Sequence, residues 1–542
     1  MMKENLLKRL SALATIFVLA IGAYAQEVEI QNGAQFVVEK NEYVESVLDV
    51  NSDGTSFLTK AGWLGNKFRV LNLNAQLNEK SKFDIEIPEQ NGKKLKYFWS
   101  LKLGNSVYFM SRYFDKKAND YYLYASELDP KSGKFVRHLE AVKTNNKSFR
   151  SWTNPFSAVR SIDSSQVLFI TEYPTSGSEN ASYGLKCVDD KMNSIWSKDI
   201  TFPHMDKDFT VLDYDIDRKG NIHFTTGIRM SWDEKEDKDS KGRYYLIIYS
   251  YFHETDELVT YEIGFVNELI RAIDLDVNVN DELIGTGFYS EKQFADSYKG
   301  FFYIRIDPKT KDVKAKTLTP FSKELLIELI GERKAEKGRE LPAYEIRESI
   351  ALPNGGMAVV AEHYVYTYSQ TTNPQTGEVS TYETWLYGNV VVMYIDADGK
   401  MESAGVLKKK QLCTAKNGAP TIWQSFGIGI YPGVNELPYY GIATMLVNGN
   451  IHILYNENPK NAERLASDKK PLSVRQKNSE TMFVTFSPEG QVTTSILFKS
   501  KDKEAGYNMP LMPRSSIQYA KNSMIVFGRK GKKMRVSRVT VK

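Results

Sequence analysis

Asp215-Ile216-Asp217-Arg218-Lys219-Gly220 sets an Asx/Gly turn between two β-patterned runs, and the same spacing returns twice, at Asp49-Val50-Asn51-Ser52-Asp53-Gly54 and at Asp276-Val277-Asn278-Val279-Asn280-Asp281. In each copy an acidic residue, an Asx two positions on and a turn residue five positions on keep register. Self-similarity over tens of residues in a chain of strands points to stacked small sheets, because one four-stranded sheet cannot bury both of its faces alone.

Working outward, equivalent turns occur at Asp53-Gly54, Gly104-Asn105, Ser164-Ser165, Gly220-Asn221, Asn280-Asp281, Asn354-Gly355, Gly449-Asn450 and Asn522-Ser523. A second turn follows in most units, at Asp129 to Gly133, Asp189 to Asn193, Asp307 to Thr310, Asp396 to Gly399 and Ser487 to Gly490. Asx, Pro and Gly do ordinary turn work there. Two hairpins per unit make a four-stranded blade, so the fold class read from the chain is all-β, a single closed β-propeller. Eight blades are favoured, and seven result if the weakly patterned unit from Ser151 to Phe202 is miscounted. After the eighth turn only one strand fits, roughly Lys533 to Val541. The stretch Glu27 to Glu39 is therefore assigned as an N-terminal strand that closes the last blade and protects its edge.

The first 25 residues read as a signal peptide. Lys3, Lys8 and Arg9 precede an apolar run from Leu10 to Ile21, and Ala23-Tyr24-Ala25 offers a small-x-small site before Gln26. The run is short against the roughly 20 residues that span a bilayer. The expectation is export to the periplasm or the extracellular space, with residues 26–542 as the propeller. A net charge of +4 over 542 residues does not favour nucleic acid as a partner, and the alternating basic residues from Arg529 to Arg538 read as a solvated face. Two cysteines, Cys187 and Cys413, are too few for a disulfide framework and read as buried free thiols.

Three segments interrupt the repeat; one, residues 231–243, is almost wholly polar and reads as a solvated loop. Residues 322–337 carry Leu325, Leu326, Leu329 and Ile330 at helical spacing behind Ser322, a good N-cap. Residues 364–389 read as a long protruding hairpin with aromatic faces, since Tyr366, Tyr368, Tyr382, Trp385 and Tyr387 flank a Pro/Gly turn.

No sequence motif for metal, phosphate or nucleophilic chemistry is present, and no cofactor or metal is expected. The Asp-rich turns fail as calcium loops, because Lys60 stands where an EF-hand places its bidentate Glu. His223 and His452 share the context Gly-Asn-Ile-His and are related by the repeat; His204 lies on a connection and His363 where a strand runs into the aromatic hairpin. Through its turn repeats the chain resembles secreted bacterial β-propeller proteins. It lacks the Trp-Asp endings of WD40 blades, the paired Gly of kelch repeats and the Asp box of sialidases, so those families imply no catalytic residues here.

In a propeller, the loops between blades and between second and third strands gather on one face. They carry Trp63, Trp152, His204, Trp232, Arg271, His363, Tyr366, Trp385, Trp423 and Arg514, residue types that favour recognition. The first reading is a non-catalytic exported scaffold that binds an envelope protein or a glycan. The alternative is a carbohydrate-active or other hydrolase using a pair among Asp206, Glu268, Glu340 and Glu383 at the channel mouth.

Overall fold

The computed structural model describes residues 27–61, 67–145, 155–173, 175, 178–229, 244–263, 269–291, 297–416, 437–467, 469–474, 478–499 and 509–542. The leader assigned to residues 1–25 and the polar segment 231–243 lie outside them.

Strands dominate, and their burial explains their composition. The second and third strands of the units are mostly apolar and mostly buried, as in Leu283–Ser290, which is buried at every position. Fourth strands alternate, as in Lys134–Asn145. A strand packed on both faces needs a continuous apolar run, whereas one at the rim presents a face to water.

Among the described residues these strands form eight antiparallel sheets of four or five strands, in each of which four strands lie side by side, in chain order except where the N-terminal strand Val28–Asn32 joins the last sheet. We number them in chain order: sheet 1 within residues 43–85, sheet 2 within 96–145, sheet 3 within 156–205, sheet 4 within 209–262, sheet 5 within 269–320, sheet 6 within 344–416, sheet 7 within 443–498 and sheet 8 within 517–541. Each of the eight turns named first joins the first and second strands of one sheet. Sheet 3 occupies the weakly patterned stretch. In sheet 8, Val28–Asn32 pairs antiparallel with Lys533–Val541, from Val28 opposite Val541 to Asn32 opposite Ser537. Phe36–Val37 adds to the same strand.

Apolar clusters join each sheet to the next. Phe68 and Val70 of sheet 1 pack with Phe109 of sheet 2, Tyr108 with Phe169 of sheet 3, and Leu168 with Phe224 of sheet 4. Ile248 meets Phe302 of sheet 5, Tyr303 meets Val359 of sheet 6, Val392 meets Ile453 of sheet 7, and Leu454 meets Val526 of sheet 8. One more cluster sets Ile525 and Phe527 of sheet 8 against Phe57 and Leu71 of sheet 1. The helix Lys323–Ile330, capped by Ser322 Oγ accepting from the Leu325 amide, inserts Leu325 and Leu329 into the cluster between sheets 5 and 6.

The repeated Asp-x-Asx motif divides its labour. Its second position shapes the turn: Asn51 Oδ1 accepts from the Asp53 amide, Asp217 Oδ1 from Lys219 and Asn221, and Asn278 Oδ1 from Asn280 and Glu282. Its first position reaches the first strand of the following sheet. Asp49 pairs with Lys102, Asp215 Oδ2 accepts from the Val277 amide at 2.9 Å, and Asp276 Oδ2 accepts from Ser349 at 2.6 Å. A first strand is a sheet edge whose peptide groups lack a ladder partner on one side, and Asp215 satisfies one of them, the Val277 amide, while Asp49 and Asp276 bond side chains of the edge strand.

The basic stretch after Arg529 departs from the solvated reading. Arg529 and Arg535 are buried, and Arg529 donates to the carbonyls of Glu39, Lys40 and Glu42 ahead of sheet 1. Alternation along the hairpin puts Arg529 on the face of Ile525 and Phe527, toward sheet 1, and Arg535 on the opposite face, beside Phe498, Val526 and Gly528. Phe57 is fully buried in the junction between sheets 8 and 1. Truncating it to Ala should cost about 3–5 kcal/mol of unfolding free energy in urea titration, and Phe57→Leu clearly less.

Candidate functional site

The aromatic hairpin of residues 364–389 is longer than its sheet. Tyr364 to Thr372 pairs with Val379 to Tyr387 beyond the four-stranded core, and a further strand, Gln411–Lys416, pairs with Tyr382 to Tyr387. The result is a three-stranded lobe at the end of sheet 6 where its first strand begins. Period-two alternation puts Tyr364, Tyr366, Trp385, Tyr387, Cys413 and Ala415 on one face. That face packs on Leu437, Tyr440 and Val474, which buries Trp385 and Tyr387. Toward the tip the ribbon opens to solvent, with Tyr368 exposed.

Two cations converge on one ring beneath this lobe. The Arg347 guanidinium lies 4.9 Å from the Tyr364 ring centre and 5.9 Å from that of Tyr387. Arg514, contributed by the segment before sheet 8, lies 5.1 Å from the Tyr387 centre and donates to its hydroxyl at 2.6 Å. Tyr440 lies parallel to Tyr387 at 6.2 Å. Burial pushes the Tyr387 hydroxyl well above the ordinary phenol range, so it stays neutral and acts as acceptor for Arg514.

A buried polar network holds Arg347 in place. Glu362 Oε2 accepts from Arg347 Nε at 2.7 Å, and Glu362 Oε1 lies 2.6 Å from Lys409 Nζ, whose side chain has no exposure. Burial drives the Lys409 ammonium down while Glu362 holds it up. Lys409 also donates to Gln411, which bonds the Asn456 carbonyl and the Gly441 amide and so ties sheet 6 to the start of sheet 7. Arg347 Nη1 is bound by Glu345, while Nη2 is buried with no hydrogen-bond partner among the described residues.

The other expected site residues divide as follows. Trp63, Trp152, Trp232 and Trp423 lie outside the described residues, as does Glu268, and the side chain of Arg271 is likewise outside the description. His363 stands at a bulge between Glu362 and Tyr364, its ring 5.5 Å from Tyr344 and filling the space left by Gly388. His204 is committed to the Tyr249 hydroxyl at 2.8 Å, and burial lowers its basicity. Tyr366 donates to Glu383 at 2.7 Å, Thr175 to Asp206 at 3.0 Å, and both Ser290 and Ser297 to Glu340. Thus His363, Tyr366, Trp385 and Arg514 belong to one region and His204 does not. Arg347, Glu362, Lys409 and Tyr440 complete that region, and no pattern in the chain singled them out.

His223 and His452 do the same job in their own sheets, bonding Ser250 and Thr485 on the neighbouring strand through Nδ1. Cys187 and Cys413 are both buried. Among the described residues no group of three or more His, Cys, Asp or Glu is placed to hold a metal ion, and no helix is long and apolar enough to cross a membrane. A surface groove of about 580 Å³ lies beside Glu39, Arg69, Lys82 and Asp84. Its central Arg69 is saturated by Glu39, Glu42 and Asp84, which makes it a structural knot.

No protein-family model and no curated protein matches the chain. Among solved structures it is similar to the Dos1 propeller (TM-score 0.43, 9% identity, 94% of each chain covered). It is also similar to the WD40 domain of SCAP from fission yeast (0.35, 9% identity, 95% of this chain and 94% of that one). A third likeness is to the polysaccharide lyase Uly1 (0.33, 9% identity, 92% and 90%). Likenesses this distant carry no argument about activity, and the architecture rests on the sheets and the clusters between them.

The network makes a prediction. Glu362 is the shared counter-charge of Arg347 and Lys409, so Glu362→Ala strips the fully buried Lys409 of its ion pair, leaves Arg347 only Glu345, and should cost about 3–5 kcal/mol in chemical denaturation. Lys409→Met leaves Glu362 paired with Arg347 and should cost less.

Proposed function

We propose that the eight sheets close into one eight-bladed propeller and that the chain is exported as a non-catalytic scaffold, binding a cell-envelope protein or glycan through the face that bears the aromatic lobe. The convergence of Arg347 and Arg514 on Tyr387 carries this reading. It joins residues from sheet 6 and from the segment before sheet 8 at the mouth of the proposed channel, and sets guanidinium donors beside aromatic rings. Arg and Tyr in such settings dominate recognition energetics. Ring closure is supported by the apolar cluster between sheets 8 and 1 and by the pairing of Val28–Asn32 with Lys533–Val541. Export is supported by the leader-like residues 1–25.

The hydrolytic alternative is less well supported. Asp206, Glu340 and Glu383 sit on different elements and are each engaged by neighbouring hydroxyls, the arrangement of positioned structural carboxylates.

The test uses protein recovered from outside the cytoplasm, whose N-terminus should be Gln26. Immobilised, it should capture a defined protein or polysaccharide from envelope extract, and Arg514→Ala should weaken that capture about tenfold or more, a loss typical of an interface anchor, with the thermal unfolding profile retained. Capture unaffected by Arg514→Ala removes the lobe from the binding face. Turnover of a polysaccharide panel by the purified chain would favour the hydrolase.

A further inference from the structure

Seven of the eight sheets carry charge on their last strand. Glu79–Ile85, Lys134–Asn145, Ser194–Met205, Glu257–Glu262, Asp312–Pro320, Met401–Leu407 and the N-terminal Val28–Asn32 each hold at least one Asp, Glu, Lys or Arg. Charge on a sheet edge discourages pairing with another chain. The last strand of sheet 7, Val492–Phe498, is the exception: Val-Thr-Thr-Ser-Ile-Leu-Phe has no charge, no proline and no glycine. It pairs with Glu480–Phe486 on one side, and among the described residues no strand pairs with it on the other.

The strand is also open on both faces. Val492 through Ile496 are all exposed, and a bulge at Leu497 follows, after which Phe498 turns inward. Val492 is 40% and Ile496 46% accessible, high values for apolar side chains on one short strand. Alternation places Val492, Thr494 and Ile496 on one face and Thr493 and Ser495 on the other. Glu489 stands exposed at the turn before the strand, and Lys499 stands exposed after it.

We propose that this edge pairs antiparallel with the same edge of a second copy of the chain, with Thr494 opposite Thr494 on the two-fold axis. In that register the strand is complementary to itself. Val492 of each copy faces Ile496 of the other, which covers both exposed apolar side chains, and Thr493 faces Ser495, hydroxyl to hydroxyl. Opposed residues differ by an even number, so their peptide groups point together toward or away from the other strand, as an antiparallel ladder requires. Charge agrees: antiparallel pairing brings Glu489 of each copy beside Lys499 of the other. Centring the axis one residue either way sets Val492 opposite Thr494 or Phe498 and separates the apolar pairs. Two short strands make a small interface against the roughly 1,200 Å² that stable complexes bury, so the dimer is weak and concentration dependent. It uses no residue of the aromatic lobe, and its failure is separable from failure of the lobe as a binding face.

Sedimentation equilibrium of the full mature chain reads the outcome. Wild type should associate to a dimer as concentration rises, while Thr494→Lys and Ile496→Lys, both at exposed positions, should keep the thermal unfolding profile and sediment as monomers. Glu489→Lys should weaken the dimer severalfold, and adding Lys499→Glu to the same chain should restore it. Oxidation reads the register: Thr494→Cys should give a covalent dimer, whereas Ser495→Cys, diagonal to its own copy, should not, and the buried Cys187 and Cys413 should leave wild type without a cross-link. Wild type that stays monomeric at about 100 μM, a dimer that survives Ile496→Lys, or a dimer without the Thr494→Cys cross-link would overturn the proposal. So would a monomeric wild type that captures a different protein from envelope extract through this edge, with capture lost in Thr494→Lys.

Discussion

A four-stranded sheet with two apolar faces and an open inner edge cannot stand alone, and every other feature of this chain depends on how that constraint is met. The faces are met by packing, since each sheet shares an apolar cluster with the next and sheet 8 shares one with sheet 1. The edge strands are contacted by polar side chains from the preceding sheet: repeat-related Asp215 takes up the Val277 amide, and Asp49 and Asp276 bond the Lys102 and Ser349 side chains. The same short motif therefore builds a turn with one residue and joins two sheets with another. Placing carboxylates on successive first strands also crowds like charges, as where Asp274 and Asp276 both contact Ser349.

Turns were the legible part of the fold because their chemistry is local. Gly220, Gly355 and Gly449 adopt φ near +80°, a region where a side chain is strained, so their positions could be read one residue at a time. Counting strands between turns was enough to send Val28–Asn32 to the last sheet. The candidate site was legible only in pieces. Tyr366, Trp385 and Arg514 stood out by residue type, but nothing local marks Gln411–Lys416 as the strand that covers Trp385. Arg347 and Glu362 look like ordinary strand charges until Lys409, remote in sequence, is brought between them. Long-range polar networks leave no periodic trace, so composition could locate the aromatic ribbon without showing that Trp385 and Tyr387 are core.

Burial of Trp385 and Tyr387 shifts the functional emphasis from the rings to what they hold. Packed under the lobe, they form a rigid platform on which two guanidinium groups are oriented, and rigidity of this kind lowers the ordering cost of binding. In the proposed binding face, the exposed tip around Tyr368 would supply surface and the Arg347 and Arg514 pair direction.

Hydrogen exchange on the mature chain tests the central claim, that the N-terminal strand completes sheet 8 and with it a closed ring. Residues Val28–Asn32 and Lys533–Val541 should exchange as slowly as the paired strands of sheets 1 to 7, because a strand hydrogen-bonded on its partner opens only with the larger unit. Rapid exchange of Val28–Asn32, with Lys533–Val541 behaving as an open edge while the other sheets stay protected, would contradict the account.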